Sequence, residues 1–284
     1  MPAELFSLPS APGYSVPVRW FPADGDAAVL LMPALGVAAR FYDTLAESLR
    51  QQGLAVLVME QRGHGDSAVR ASRRQDHGFR EALAEDIPAL LDWLHTRAPG
   101  CRTLLMGHSL GGHYAAITAG RLPARVDGVI LAACGSAWVG AYQGRTRRQL
   151  QLLIGLVPAL TRLLGHYPGE RIGFGGREAR RLMRDWLQLA RHDRYEAAGL
   201  DEDLEAGIRR YDGPVLVLRM ADDDYAPETA VRAVSDRFAA ADVDLRVLDA
   251  DMLGDRADHF RWARRPDAVT AAILSWLRAP RSAA

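Results

Sequence analysis

In Thr103-Leu104-Leu105-Met106-Gly107-His108-Ser109-Leu110-Gly111-Gly112 an apolar, strand-like run meets a glycine-flanked serine, and a helical pattern opens at Leu110. A strand that becomes a helix within so few residues forces a strained backbone at Ser109, and the glycines remove side chains that would clash there. The hydroxyl then projects from the C-terminal edge of a sheet at a helix N-terminus. Free backbone N–H groups and the helix dipole favour negative charge at that point. An acyl-transfer nucleophile needs this setting, because an oxyanion develops beside it. A Gly-rich phosphate turn is the competing reading, and its companion signals are missing.

The text on either side supports a strand-to-helix turn inside a larger sheet. Strands are expected over Tyr14–Phe21, Ala28–Met32, Leu54–Met59, Thr103–Met106, Val126–Ala132, Val215–Met220 and Leu245–Leu248. Most are short, apolar and rich in branched residues, as buried parallel strands are. Helices are expected between them, over Arg40–Gln52, Phe79–Arg97, Leu110–Arg121, Pro227–Ala239 and Pro266–Arg278, with Gly53 placed to end the first. Strand–helix–strand alternation implies right-handed crossovers and a mostly parallel sheet with helices on both faces. The alternation stops over 136–212. That stretch carries two helical segments, Gln149–Leu164 and Arg177–Arg191, a Gly-rich turn Gly173-Phe174-Gly175-Gly176, and no convincing strand. It reads as a helical cap inserted into a core formed by 1–135 and 213–284.

The chain has 284 residues, of which 35 are positive and 35 negative. All the positive ones are Arg, so Lys Schiff-base and Walker A chemistry are excluded. The neutral balance argues against a dedicated nucleic-acid partner. Cys101 and Cys134 lie in apolar runs without metal-ligand spacing, and no metal or cofactor is expected. The first residues lack the pattern of a signal peptide, and the apolar stretch from Ala27 to Ala39 is too short to span a bilayer. The expectation is a cytoplasmic protein with no stable membrane insertion.

A serine hydroxyl needs a base. Of the 8 His residues, only His259 falls between the last expected strand and the last helix. The base in turn needs a carboxylate to hold its tautomer. Asp222, Asp223 and Asp224 follow the strand Val215–Met220, and any of them could serve. The order serine, acid, histidine fits one triad-bearing fold and neither chymotrypsin nor subtilisin.

These features resemble the α/β-hydrolase fold of serine hydrolases over nearly the whole chain. Arg62-Gly63-His64-Gly65-Asp66-Ser67 resembles a turn common in that family. The segments Gly165–Gly175 and Met183–Trp186 are similar to a bacterial subgroup with a helical cap. Family members place the acid four residues before a proline, so the resemblance implies Asp223, before Pro227, ahead of Asp224 and Asp222. The family's oxyanion loop corresponds to Met32-Pro33-Ala34-Leu35-Gly36. Pro33 has no N–H, which leaves Ala34 or Leu35 as one donor and Leu110 as the other. The resemblance implies a cofactor-free serine hydrolase acting on a small-molecule ester or thioester. Acyl transfer through the same intermediate, and ligand binding without turnover, are the competing functions.

Overall fold

The computed structural model describes residues 3–279; residues 1–2 and 280–284, at the ends of the expected 1–135 and 213–284 segments, lie outside the described residues. The strands are β1 (Glu4–Ala11), β2 (Tyr14–Phe21), β3 (Ala27–Met32), β4 (Leu54–Met59), β5 (Arg102–His108), β6 (Gly128–Ala132), β7 (Tyr167–Pro168), β8 (Arg177–Glu178), β9 (Val215–Met220) and β10 (Val243–Leu248). The helices are α1 (Asp43–Gln51), α2 (Phe79–Glu81), α3 (Ile87–Arg97), α4 (Leu110–Arg121), α5 (Gly144–Leu164), α6 (Gly169–Ile172), α7 (Arg180–His192), α8 (Leu204–Arg210), α9 (Glu228–Ser235), α10 (Ala250–Leu253) and α11 (Asp267–Arg278).

Eight strands form one sheet in the order β1-β2-β4-β3-β5-β6-β9-β10. β1, β2 and β4 pair antiparallel; every pairing from β4 across to β10 is parallel. The composition explains the layering. β3 (AAVLLM) and β4 (LAVLVM) are apolar at every position and buried at every position, as strands covered by helices on both faces must be. Two apolar layers result, one on each face of the sheet. β1 alternates exposed with half-buried residues and sits at the edge.

This order places a topological switch point between β3 and β5. The chain leaves β3 toward β4 on one side, then returns to β5 and moves to β6 on the other. Crevices at the C-terminal ends of such strands are where ligands bind in open α/β sheets. Here Met32 of β3 pairs with Gly107 of β5, so the loop after β3 and the serine turn after β5 emerge side by side.

Several boundaries differ from the sequence reading. β5 runs on to His108 and delivers Ser109 directly. The expected helix Phe79–Arg97 contains a π-type turn over Ala82–Asp86. α5 begins at Gly144, ahead of the expected Gln149, and carries Pro158 within it. β1 was not expected, since its exposed face and Pro9 blur the alternation. The 136–212 stretch, expected to lack strands, holds the short antiparallel pair β7–β8, with register Tyr167 to Glu178 and Pro168 to Arg177. Two-residue strands carry no periodicity that a sequence could display. α8, also inside that stretch, packs on α4.

Candidate active site

Ser109 joins β5 to α4 with φ of 51° and ψ of −114°, a left-handed conformation that costs energy in any non-glycine residue. The surrounding backbone holds it there. Ser109 N–H donates to Ala132 O (3.2 Å), and Ser109 O accepts the Gly112 and His113 N–H groups (2.9 and 3.3 Å). The glycines are required by close approach: a Cβ on Gly107 would lie 2.1 Å from Gly111 O, and one on Gly111 would lie 2.0 Å from Met32 O.

His259 lies on the loop between α10 and α11. Its Nδ1 is 2.7 Å from Asp223 Oδ2, and both side chains are buried. An ionised carboxylate can only accept, so Nδ1 carries the hydrogen and Nε2 keeps its lone pair. The other oxygen, Asp223 Oδ1, accepts the N–H groups of Tyr225 (2.8 Å) and Ala226 (3.1 Å). Asp222 and Asp224 are exposed. Asp222 ties its loop to the histidine loop through Ala257, with Asp222 N to Ala257 O at 2.9 Å and Ala257 N to Asp222 Oδ2 at 3.2 Å. Trp262 Nε1 donates to His259 O at 2.8 Å and fixes the backbone at that residue.

Ser109, Leu110, Ala34, Leu35 and His259 line one cavity of about 430 Å³. Among the described residues no hydrogen bond joins Ser109 Oγ to His259. The far walls come from the 136–212 stretch, with Leu152, Leu153 and Leu156 of α5 and Phe174 and Trp186 beyond it. Among the lining residues there is no carboxylate and no guanidinium. Nor do the described residues hold any group of three or more His, Cys, Asp or Glu placed to bind a metal ion.

The two loop residues named from sequence differ in one respect. Ala34 N–H donates to Tyr42 Oη at 2.9 Å, whereas Leu35 N–H has no such partner among the described residues. Tyr42 Oη also lies 2.8 Å from His108 Nδ1. Burial drives the His108 pKa well down, so the ring is neutral. Its ring packs against those of His259 (4.8 Å between centroids) and Trp262 (5.0 Å). His113 is likewise buried and pushed down to about 3 by burial, with its Nδ1 2.6 Å from Tyr195 Oη.

Sequence reading assigned no contact to Tyr42, Gln61 or Glu178, which brace the loop after β3 or the turn packed on it. Gln61 Nε2 donates to Pro33 O, and Glu178 reaches across from the 136–212 stretch to His64. A single polar residue in an apolar or loop context carries no signal of its partner.

Fold and site together define an α/β hydrolase. The chain belongs to the serine aminopeptidase S33 family, whose model, Hydrolase_4, matches residues 23–251. It is 25% identical over 243 residues to a monoacylglycerol lipase of Mycolicibacterium smegmatis, covering 80% of this chain and 81% of that protein. A Variovorax paradoxus protein provisionally named carbamate hydrolase RutD is 37% identical over 118 residues, which is 41% of this chain and 40% of that relative. Similar solved structures include DcsB in complex with its substrate analogue (TM-score 0.67, 16% identity, 97% of this chain and 98% of that one). A hydrolase from Pseudomonas aeruginosa PA01 superposes with a TM-score of 0.62 at 24% identity, over 97% of this chain and 99% of that one. Among the described residues no helix is long and apolar enough to cross a membrane.

Proposed function

We propose that this chain is a serine hydrolase that cleaves a carboxylic ester or thioester through an acyl-enzyme on Ser109. The observation that carries the proposal is the buried Asp223–His259 hydrogen bond in the wall of the cavity that Ser109 enters with a left-handed backbone. Ser109 Oγ attacks the carbonyl carbon while His259 Nε2 takes its proton. Asp223 holds the ring in that tautomer and stabilises the imidazolium. The leaving alcohol or thiol departs with the proton from His259. Water then attacks the acyl-enzyme with His259 again as base, and Ser109 is restored.

Leu110 N–H and Leu35 N–H hold the oxyanion in this reading. Ala34, the alternative donor, gives its N–H to Tyr42, which favours Leu35. Residues 136–212 act as a cap whose leucines and aromatics receive the acyl part of the substrate.

An aminopeptidase must hold a free ammonium, and a carboxylate is the ordinary partner for one. The cavity lining offers none, which favours a neutral ester over a peptide N-terminus. The test is a panel of p-nitrophenyl esters of increasing acyl length beside amino-acid p-nitroanilides, with Ser109→Ala measured in parallel. Ester turnover that vanishes in the variant is expected. Turnover of the anilides alone, or equal turnover by the variant, would overturn the proposal.

A further inference from the structure

The turn after β4 reaches in two directions. Toward the loop after β3, Gln61 Nε2 donates to Pro33 O, and Glu60 Oε1 accepts Ala39 N–H at 3.1 Å. Toward the 136–212 stretch, His64 Nε2 lies 3.0 Å from Glu178 Oε2. The other oxygen, Glu178 Oε1, accepts the Gly176 N–H at 2.6 Å. Glu178 is 0% exposed and His64 8%. Burying such a pair costs more desolvation than an apolar pair would, so its value lies in what it holds in place.

What it holds is the turn Gly173–Gly176 against the loop carrying Leu35. Gly36 has φ of +77°, and a Cβ there would lie 2.4 Å from Gly176 N and 2.5 Å from Gly175 C. The two backbones touch with no room for a side chain between them. A Cβ on Gly175 would meet the Leu35 side chain at 3.1 Å. The conformation at Leu35 and Gly36 therefore depends on where this turn sits.

We propose that His64 and Glu178 are positioning residues: their pair seats the Gly173–Gly176 turn on Leu35–Gly36 and so aims the Leu35 N–H into the cavity. The inference rests on the reading of Leu35 as an oxyanion donor and extends it. The cap thereby completes the oxyanion site as well as roofing it. Arg177, whose Nε donates to Ala71 O at 2.8 Å, anchors the far end of the same turn.

The charges facing His64 are Glu178 and Glu60, which favour its cation, and Arg70, which opposes it; His77, also close, is pushed down to about 4 by burial and stays neutral. Against the burial that opposes it, the carboxylates hold the His64 pKa above its ordinary value. While Glu178 is ionised, the charged pair is intact below the ordinary histidine value of 6.5 and lost as pH rises through the raised one.

The test uses the full-length chain, with His64→Ala, Glu178→Ala, the double variant and His64→Gln, which keeps a donor near Nε2. Each is checked for folding by thermal melting. On a short p-nitrophenyl ester, either alanine variant is expected to lower kcat about 10–100-fold with KM within about threefold, the signature of a displaced transition-state contact. Affinity for a trifluoromethyl ketone should fall by the same factor. The double variant should lose no more than the single ones, because the two residues act as one unit. An alkaline decline is expected in the wild type, and His64→Gln should recover most of kcat and remove it. Folded alanine variants with wild-type kcat would overturn the inference, as would independent, multiplying losses. Should Ser109→Ala hydrolyse the ester as fast as wild type, the reading of the site itself fails. Should only Ser109→Ala be inactive, the positioning role alone fails.

Discussion

Replacing Asp223 by Asn separates the role of its charge from the role of its shape. Asp223 Oδ1 accepts two backbone N–H groups, from Tyr225 (2.8 Å) and Ala226 (3.1 Å), while Oδ2 faces His259 Nδ1 at 2.7 Å. An asparagine has two ways to sit. Turning its NH2 toward Tyr225 and Ala226 would leave two inward-facing donors without acceptors, at about 1–3 kcal/mol each. The amide oxygen therefore stays on the backbone, and the NH2 faces His259. A donor opposite Nδ1 forces the imidazole to carry its hydrogen on Nε2, where it cannot accept the proton of Ser109. The expected loss in kcat is about 10⁴-fold, or about 5.5 kcal/mol of barrier, with a melting temperature close to wild type. Asp223→Ala should lose comparable activity and also stability, because it frees both N–H groups. Asp224→Asn, at an exposed side chain, should stay within about threefold. The assay is kcat/KM on p-nitrophenyl butyrate across the series. An Asp223→Asn enzyme within tenfold of wild type would refute the assignment of the acid, as would equal damage from Asp224→Asn.

Three further outcomes follow from the same contacts. Tyr42→Phe leaves Ala34 N–H and His108 Nδ1 without their shared hydroxyl partner, so urea unfolding should report a loss of about 2–6 kcal/mol; an unchanged midpoint would show that water replaces the hydroxyl. His113 and His77 are held down to about 3 and about 4 by burial, so the stability they give is full above the unfolded value of 6.5 and is lost as pH falls toward those values. Asp185, pushed up to about 6 by burial, acts in the opposite sense, its contribution being present below 3.8 and lost as pH rises through 6; the histidines outweigh it, and the urea midpoint should fall from pH 6.5 to pH 4, whereas a rise would contradict the account. Gly112→Ala would place a Cβ 2.5 Å from Cys134 Sγ, and thermal melting should show a loss of about 1–3 kcal/mol.

The legible parts of this fold are those where a strong local pattern and a tertiary role coincide. β3, β4 and β9 are nearly continuous apolar runs because helices cover both faces of the sheet, and such a run can be read without knowing its neighbours. The serine turn was legible because its glycines answer a backbone approach that composition displays directly. The carboxylate was less so. Residue type alone leaves Asp222, Asp223 and Asp224 open; the family resemblance favours Asp223 through Pro227, and in the structure burial and the contact with His259 set it apart from its exposed neighbours. Ala34 and Leu35 could not be told apart for a similar reason, since the hydrogen bond that distinguishes them comes from Tyr42, on the next turn of chain. The pairing of His64 with Glu178 spans 114 residues, and nothing at either position announces the other. β7 and β8 are too short to show any period, and β1 is half exposed with a proline inside it.

The central claim is that Ser109 is an activated nucleophile, and labelling with a fluorophosphonate tests it most directly. The purified chain and its Ser109→Ala variant are treated in parallel, digested, and the modified peptide read by mass spectrometry. The account predicts a single adduct on Ser109, absent from the variant, and formed far more slowly in Asp223→Asn. A folded wild-type protein that takes up no label, or takes it up equally after Ser109→Ala, would contradict it.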